Sequence, residues 1–202
     1  MNKFSYIGIC GYANSGKDFL CEVLGNEYKV YRRSLADSLK NEVRDYCIIK
    51  YGIDPTCCSR AEKEIIRPFL VEYGLLKRSQ NEYYFTAALD NYLSESKNLP
   101  HFDFLIVPDI RYSNEEKWLK RKNGILISVT RNGISAPNEQ ERLNLPLVKK
   151  KADFSITWPE FKENKFEKAL DFLDSQNIIQ ALNGRLRTCR KSKNLRGRVC
   201  AT

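Results

Sequence analysis

The feature that most limits what this chain can fold into lies in its first 27 residues. The short apolar run Phe4 to Cys10 is followed at once by Gly11, Asn14 and Gly16, and then Phe19, Leu20, Val23 and Leu24 recur at helical spacing. A brief apolar run closed by turn residues reads as a buried strand, and the period of three to four reads as a helix. Gly25 is expected to stop that helix. The chain therefore opens strand, loop, helix, a unit that buries its strand only when other strands pair beside it.

The rest of the pattern supplies those strands. Phe102 to Val107, Ile125 to Val129 and Phe154 to Ile156 are further apolar runs. Leu35, Leu39, Val43 and Cys47 predict one helix between them, and Tyr84, Phe85, Ala88 and Leu89 another. Ile65, Ile66, Phe69, Leu70 and Tyr73 also keep one face, but Pro68 biases Arg67 away from helical geometry, so a break is expected there, with Pro68 opening a new helix. Phe166, Leu170 and Leu173 line a closing helix. Alternating strands and helices with few hairpin signals predict an α/β fold, a mostly parallel sheet covered by helices on both faces. Ligands in such sheets bind beyond the carboxyl ends of the strands. Residues 132–151, polar and with two prolines, form a long connection and a candidate lid.

Charge separates a body from a tail. The net charge is +9, and Arg185, Arg187, Arg190, Lys191, Lys193, Arg196 and Arg198 supply seven positive charges after Ala181 with no acid among them. One domain over 1–182 and a basic tail without fixed structure over 183–202 follow. With 42% apolar and 29% charged residues the body is globular in composition. Seven cysteines, odd in number and irregularly spaced, read as reduced thiols of a cytoplasmic protein. No run approaches the length of a membrane span, and the apolar start leads into a glycine loop rather than a cleavage site.

Gly11, Gly16 and Lys17 match GxxxxGK, set between strand and helix as phosphate binding requires. Backbone N–H groups wrap phosphate oxygens, the helix start adds a positive dipole end, and Lys17 neutralises the β and γ phosphates. Asp18 stands where a hydroxyl usually meets Mg²⁺; a carboxylate can hold the ion directly or through water. Asp109, closing the run Phe104 to Val107 after Pro108, is either a group that orients Mg²⁺ or an acceptor, or a helix N-cap. Arg111 reaches a phosphate or pairs with Glu115 at helical spacing. Arg67, Arg131 and Arg142, near element ends or in the presumed lid, are either mobile phosphate clamps or solvated surface residues. His101 is the sole histidine, which disfavours a histidine triad or a histidine-rich metal site.

Four blocks in order resemble the phage-type deoxynucleoside monophosphate kinases, a branch of the P-loop kinases. They are Gly11-Tyr12-Ala13-Asn14-Ser15-Gly16-Lys17-Asp18, with that family's GKD ending; Leu35-Ala36-Asp37-Ser38-Leu39-Lys40; Ile66-Arg67-Pro68-Phe69-Leu70-Val71-Glu72-Tyr73-Gly74; and Val107-Pro108-Asp109-Ile110-Arg111-Tyr112-Ser113-Asn114-Glu115. The animal-type phosphomevalonate kinases share the first block and match the third and fourth poorly. Val71 and Phe85 stand where the family has glutamine and commonly tryptophan, positions that bear on base preference.

The resemblance implies a P-loop kinase architecture with helices that bind a nucleoside monophosphate over about 36–95 and a lid over about 132–151. Gly11, Ala13, Asn14, Ser15, Gly16 and Lys17 would bind ATP, and Asp18 and Asp109 would organise Mg²⁺. Asp37, Lys40, Arg67, Phe69, Glu72 and Arg111 would hold the acceptor, and Arg131 would contact donor phosphate or adenine. The implied reaction is transfer of the γ-phosphoryl of ATP to a (deoxy)nucleoside 5′-monophosphate, by a protein that needs no membrane and is compatible with a homodimer. Two other readings stand beside it: a kinase of another small phosphate such as phosphomevalonate, and a nucleotide-switched protein that grips nucleic acid with its basic tail.

Overall fold

The structure, a computed structural model, describes residues 4–96, 99–161 and 163–197, with side chains to residue 188. Contacts divide the chain into two compact units, one built from the segments up to Arg33 and from Pro100 onward, the other from Ser34–Leu99.

The first unit carries a five-stranded sheet. Its strands are β1 (Ser5–Cys10), β2 (Val30–Arg32), β3 (Phe104–Val107), β4 (Ile125–Thr130) and β5 (Phe154–Thr157), in the order β2-β3-β1-β4-β5. All four pairings are parallel. The fold class is therefore the expected one. Alternate residues of β1 serve opposite faces, as the two-residue period of a strand dictates. Ile7 and Ile9 join the core built with α1 (Lys17–Glu27), α8 (Lys165–Ser175) and α9 (Ile178–Gly197). Tyr6 meets Trp118 of α6 (Ser113–Arg121) edge-on at 5.7 Å on the other face. Beside α6 lies α7 (Glu139–Lys149), with Leu145 and Val148 fully buried. Both faces of the sheet are thus covered, which is why its strands are apolar throughout.

This strand order creates a topological switch point. The chain leaves β1 into α1 on one face and leaves the adjacent β3 toward α6 on the other, so the two connections diverge where β1 and β3 end. Open parallel sheets bind ligands at such switch points.

The second unit contains α2 (Ala36–Glu42), α3 (Arg44–Tyr51), α4 (Arg60–Gln80) and α5 (Tyr84–Glu95). Glu42 ties three of these helices together. Its carboxylate accepts from the hydroxyls of Tyr73 (2.8 Å) and Tyr84 (2.5 Å) and pairs with Lys77. Burial would raise the Glu42 pKa, but the bonds from Lys77, Tyr84 and Tyr73 outweigh it and hold the carboxyl below its ordinary range.

Several local expectations are corrected. Helix α1 runs through Gly25 to Glu27, where the N–H of Tyr28 closes on the carbonyl of Leu24. Strand β2 is added to the expected set, and no clear apolar run announces it. The helix expected over Leu35 to Cys47 is two, α2 and α3, hinged at Val43. No break occurs at Arg67, because α4 continues through Pro68 for 21 residues. Glu64 and Pro68 are both exposed, so the carbonyl that Pro68 cannot satisfy stays open to water, while a capping box of Ser59 and Glu62 secures the start. Residues 132–151 are largely helix α7, capped by the side chain of Asn138. The basic segment expected to lack fixed structure from residue 183 is helical in α9 as far as Gly197, with Ile178 and Leu182 buried. Residues 198–202 lie outside the described residues.

Candidate phosphate site

Residues Gly11 to Gly16 form a loop whose shape depends on missing side chains. A Cβ on Gly11 would run into the carbonyl oxygen of Val129 and come within 2.6 Å of the Ser15 hydroxyl. Gly16 has φ +93°, and a Cβ there would lie 2.5 Å from Cδ1 and 2.7 Å from Nε1 of Trp158. Asn14 is also left-handed, at φ 64°. Successive turns of this kind aim backbone amides into one concavity, an anion-binding nest, at the start of α1. Trp158, just beyond β5, fixes that start: its Nε1 donates to the carbonyl of Gly16 at 3.2 Å. Ser15 is 2% exposed, and its hydroxyl has no hydrogen-bond partner among the described residues. A loop with spare amides and an orphaned hydroxyl fits a phosphate ligand.

Lys17 donates from Nζ to the carbonyls of Gly11 (2.7 Å) and Tyr12 (2.6 Å) and so closes over its own loop. Burial pushes its pKa down to about 8; the Arg111 guanidinium adds to the fall, and Glu141, Asp18 and Asp109 oppose it. Those four groups mark the charged neighbourhood of the ammonium. Asp18, with a side chain 76% exposed, pairs with Arg32 at the end of β2. Asp109 follows β3 and acts electrostatically on both Lys17 and Arg32. It is not the cap of α6, which is Tyr112. Asp18 and Asp109 offer the hard oxygen ligands that Mg²⁺ takes, one or two carboxylates with water and phosphate completing its shell. Among the described residues no group of three or more His, Cys, Asp or Glu could hold a metal ion.

Arg111 divides its contacts. Its backbone N–H donates to the Glu115 carboxylate at 2.8 Å, so the expected pairing at helical spacing is made through the main chain. Its guanidinium turns instead to Glu141 of α7, with Nη1 to Oε1 at 2.7 Å. Arg131 follows β4 directly and is exposed. Arg142 is exposed and paired with Glu139 on its own helix.

The remaining predicted residues belong to the second unit. Asp37 accepts from the amide of Ser34 at 3.0 Å, and Lys40 lies in the last turn of α2. Arg67 forms a two-pronged ion pair with Glu64, at 2.8 and 2.6 Å. Phe69 packs in an aromatic group with Tyr46 (4.9 Å), Tyr73 (5.9 Å) and Tyr51 (6.2 Å), and Glu72 is exposed. The structure explains two residues of the same block by packing: Tyr73 bonds Glu42, and Gly74 lies against Leu39, whose Cδ1 a Cβ would meet at 3.3 Å.

The first unit thus brings together Lys17, Asp18, Asp109 and Arg111, and adds Arg32, Glu141, Trp158 and Lys149. The Lys149 ammonium sits 4.5 Å from the centre of the Tyr12 ring, tying the end of α7 to the loop. No local motif announces these four residues. The one available signal was the spacing of Glu141, Leu145 and Val148, an apolar face with a carboxylate in it.

No family model matches the chain, and no curated protein matches it. Among solved structures, the crystal structure of TT1252 from Thermus thermophilus is similar over 85% of this chain and 97% of its own, at 18% identity and a TM-score of 0.45. Likeness at that level assigns no function.

Proposed function

We propose that this protein transfers the γ-phosphoryl group of ATP to a (deoxy)nucleoside 5′-monophosphate. The observation that carries the reading is the loop Gly11 to Gly16 with Lys17 folded over it, at the sheet's switch point and within electrostatic reach of Asp18, Asp109 and Arg111. The sequence blocks that resemble phage-type deoxynucleoside monophosphate kinases support the choice of acceptor.

An acceptor phosphate is already an anion and a competent nucleophile, so transfer to it needs no general base, in keeping with a chain that has one histidine. Catalysis then consists of holding two anions in line and offsetting their repulsion. The loop amides and Lys17 bind the donor's terminal phosphates, and Arg131 covers them from the end of β4. Arg111 and Arg67 take acceptor phosphate, with Asp37, Lys40, Phe69 and Glu72 contacting the rest of that nucleotide. Mg²⁺, held by Asp18 and Asp109, would spread the charge developing between the β and γ phosphates.

A coupled assay of ADP release tests the reading across a panel of ribo- and deoxyribonucleoside monophosphates with phosphomevalonate included. Turnover with at least one nucleoside monophosphate is expected. Turnover with phosphomevalonate alone, or with no acceptor, would overturn it.

A further inference from the structure

Glu141 is a carboxylate where an apolar residue belongs. It stands in the first turn of α7 on the face that also carries Leu145 and Val148, and it is 4% exposed. Its Oε1 receives Nη1 of Arg111, while Oε2 has no hydrogen-bond partner among the described residues. A buried carboxylate with one oxygen unsatisfied costs stability relative to an apolar side chain of the same volume. Packing alone therefore gives no reason for it.

Its surroundings do. The helix start is fixed by Asn138, whose side chain accepts from the Glu141 amide at 2.9 Å, and the helix end is held to the loop through Lys149 and Tyr12. The Arg111 backbone is pinned separately by Glu115. Arg111 is consequently held at its backbone by Glu115 and at its guanidinium by Glu141, and its side chain keeps 37% exposure. Only Nη1 is used by Glu141, so Nε and Nη2 can still donate, in the fork geometry that suits phosphate oxygens. Pulling Arg111 away would leave Glu141 buried and unpaired, a state that ion pairs of this kind resist.

We propose that Glu141 is a positioning residue: it anchors the Arg111 guanidinium near Lys17 so that the remaining N–H groups of Arg111 donate to a phosphate oxygen of the acceptor nucleotide. This rests on the proposed phosphoryl transfer, in which Arg111 takes acceptor phosphate. It assigns α7 a role unlike that of a free lid, since the helix stays docked and supplies an anchor.

The test measures binding of a panel of ribo- and deoxyribonucleoside 5′-monophosphates by calorimetry on the full chain, and the variants are compared using the one that binds most tightly. Glu141→Gln keeps the volume and removes the charge, and is expected to raise Kd about tenfold, the scale of one weakened charge-assisted hydrogen bond. The double variant Glu141→Gln with Arg111→Ala should bind no more weakly than Arg111→Ala alone, because Glu141 acts through Arg111. The Arg111 side-chain Nε–H resonance in ¹⁵N-labelled protein gives a second readout that does not require Arg111→Ala to fold. Slow guanidinium rotation is expected in the wild type and averaged rotation in Glu141→Gln. Wild-type Kd in Glu141→Gln, an equal further loss in the Arg111→Ala background, or unchanged guanidinium rotation would each overturn the role of Glu141 while leaving the phosphate site standing. A wild-type protein that binds none of the monophosphates would overturn both.

Discussion

Replacing Gly16 with alanine should damage the loop far more than the same change at another left-handed glycine. At Gly16 three costs combine. The φ of +93° is strained for alanine, at about 1 kcal/mol. The new methyl would lie 2.5 Å from Trp158 Cδ1, inside a contact no real pair tolerates, and moving a buried indole packed against Phe19, Phe161 and Phe172 costs about 1–3 kcal/mol. Displacement also breaks the bond from Trp158 to the Gly16 carbonyl, worth about 1 kcal/mol. The total is about 3–5 kcal/mol. Gly133 provides the control within the same unit. Its φ is +76° and a Cβ placed there would meet nothing within 4 Å, so Gly133→Ala carries only the strain, about 1 kcal/mol. For a chain of this length each kcal/mol lowers Tm by about 2–4 °C. Thermal unfolding by circular dichroism should therefore drop by about 6–20 °C for Gly16→Ala and about 2–4 °C for Gly133→Ala. Equal losses in the two variants would refute the claim that Trp158 buttresses the loop.

Other predictions address the chemistry and the second unit. Lys17→Ala should leave Tm within a few degrees of the wild type and weaken ADP binding by about 100-fold, read by calorimetry, since among the described residues its ammonium bonds two carbonyls of its own loop. Arg67→Ala should raise the acceptor KM and lower kcat with little change in ATP binding, measured by steady-state kinetics; its exposed pair with Glu64 contributes little to stability. Glu42, held below its ordinary pKa, contributes stability that is present above its unfolded-state pKa and lost as pH falls through the folded one. Glu42→Gln should therefore flatten the acid limb of a stability-against-pH curve, as followed by urea unfolding. Brief alkylation at pH 8 with mass-spectrometric mapping should label exposed Cys57 and spare Cys10 and Cys21, whose thiols burial pushes up to about 11.

Much of the sheet was legible because a buried parallel strand is a local signal. Phe4 to Cys10, Ile125 to Val129 and Phe154 to Ile156 are apolar runs between turn residues, and each became a strand. Val30–Arg32 escaped because a three-residue edge strand, only partly buried, carries no period. Pro68 misled because the rule against an interior proline assumes a carbonyl hidden from water, whereas its position on α4 is exposed. Helix α7 hid behind Glu141, a charge on the buried face that broke the apolar pattern for a reason found only in three dimensions, the Arg111 guanidinium 30 residues away. The loop and Lys17 could be read from spacing alone; Arg32, Glu141, Lys149 and Trp158 could not, since they reach the loop from other elements.

The central claim is that Gly11 to Lys17 cradles a nucleotide's terminal phosphates. A crystal structure of the protein grown with Mg²⁺ and ADP tests it most directly. The β-phosphate should sit within the loop, with Lys17 Nζ moved from the carbonyls of Gly11 and Tyr12 onto a phosphate oxygen. Phosphates bound elsewhere, or a lysine still closed on its own loop with ADP present, would contradict it.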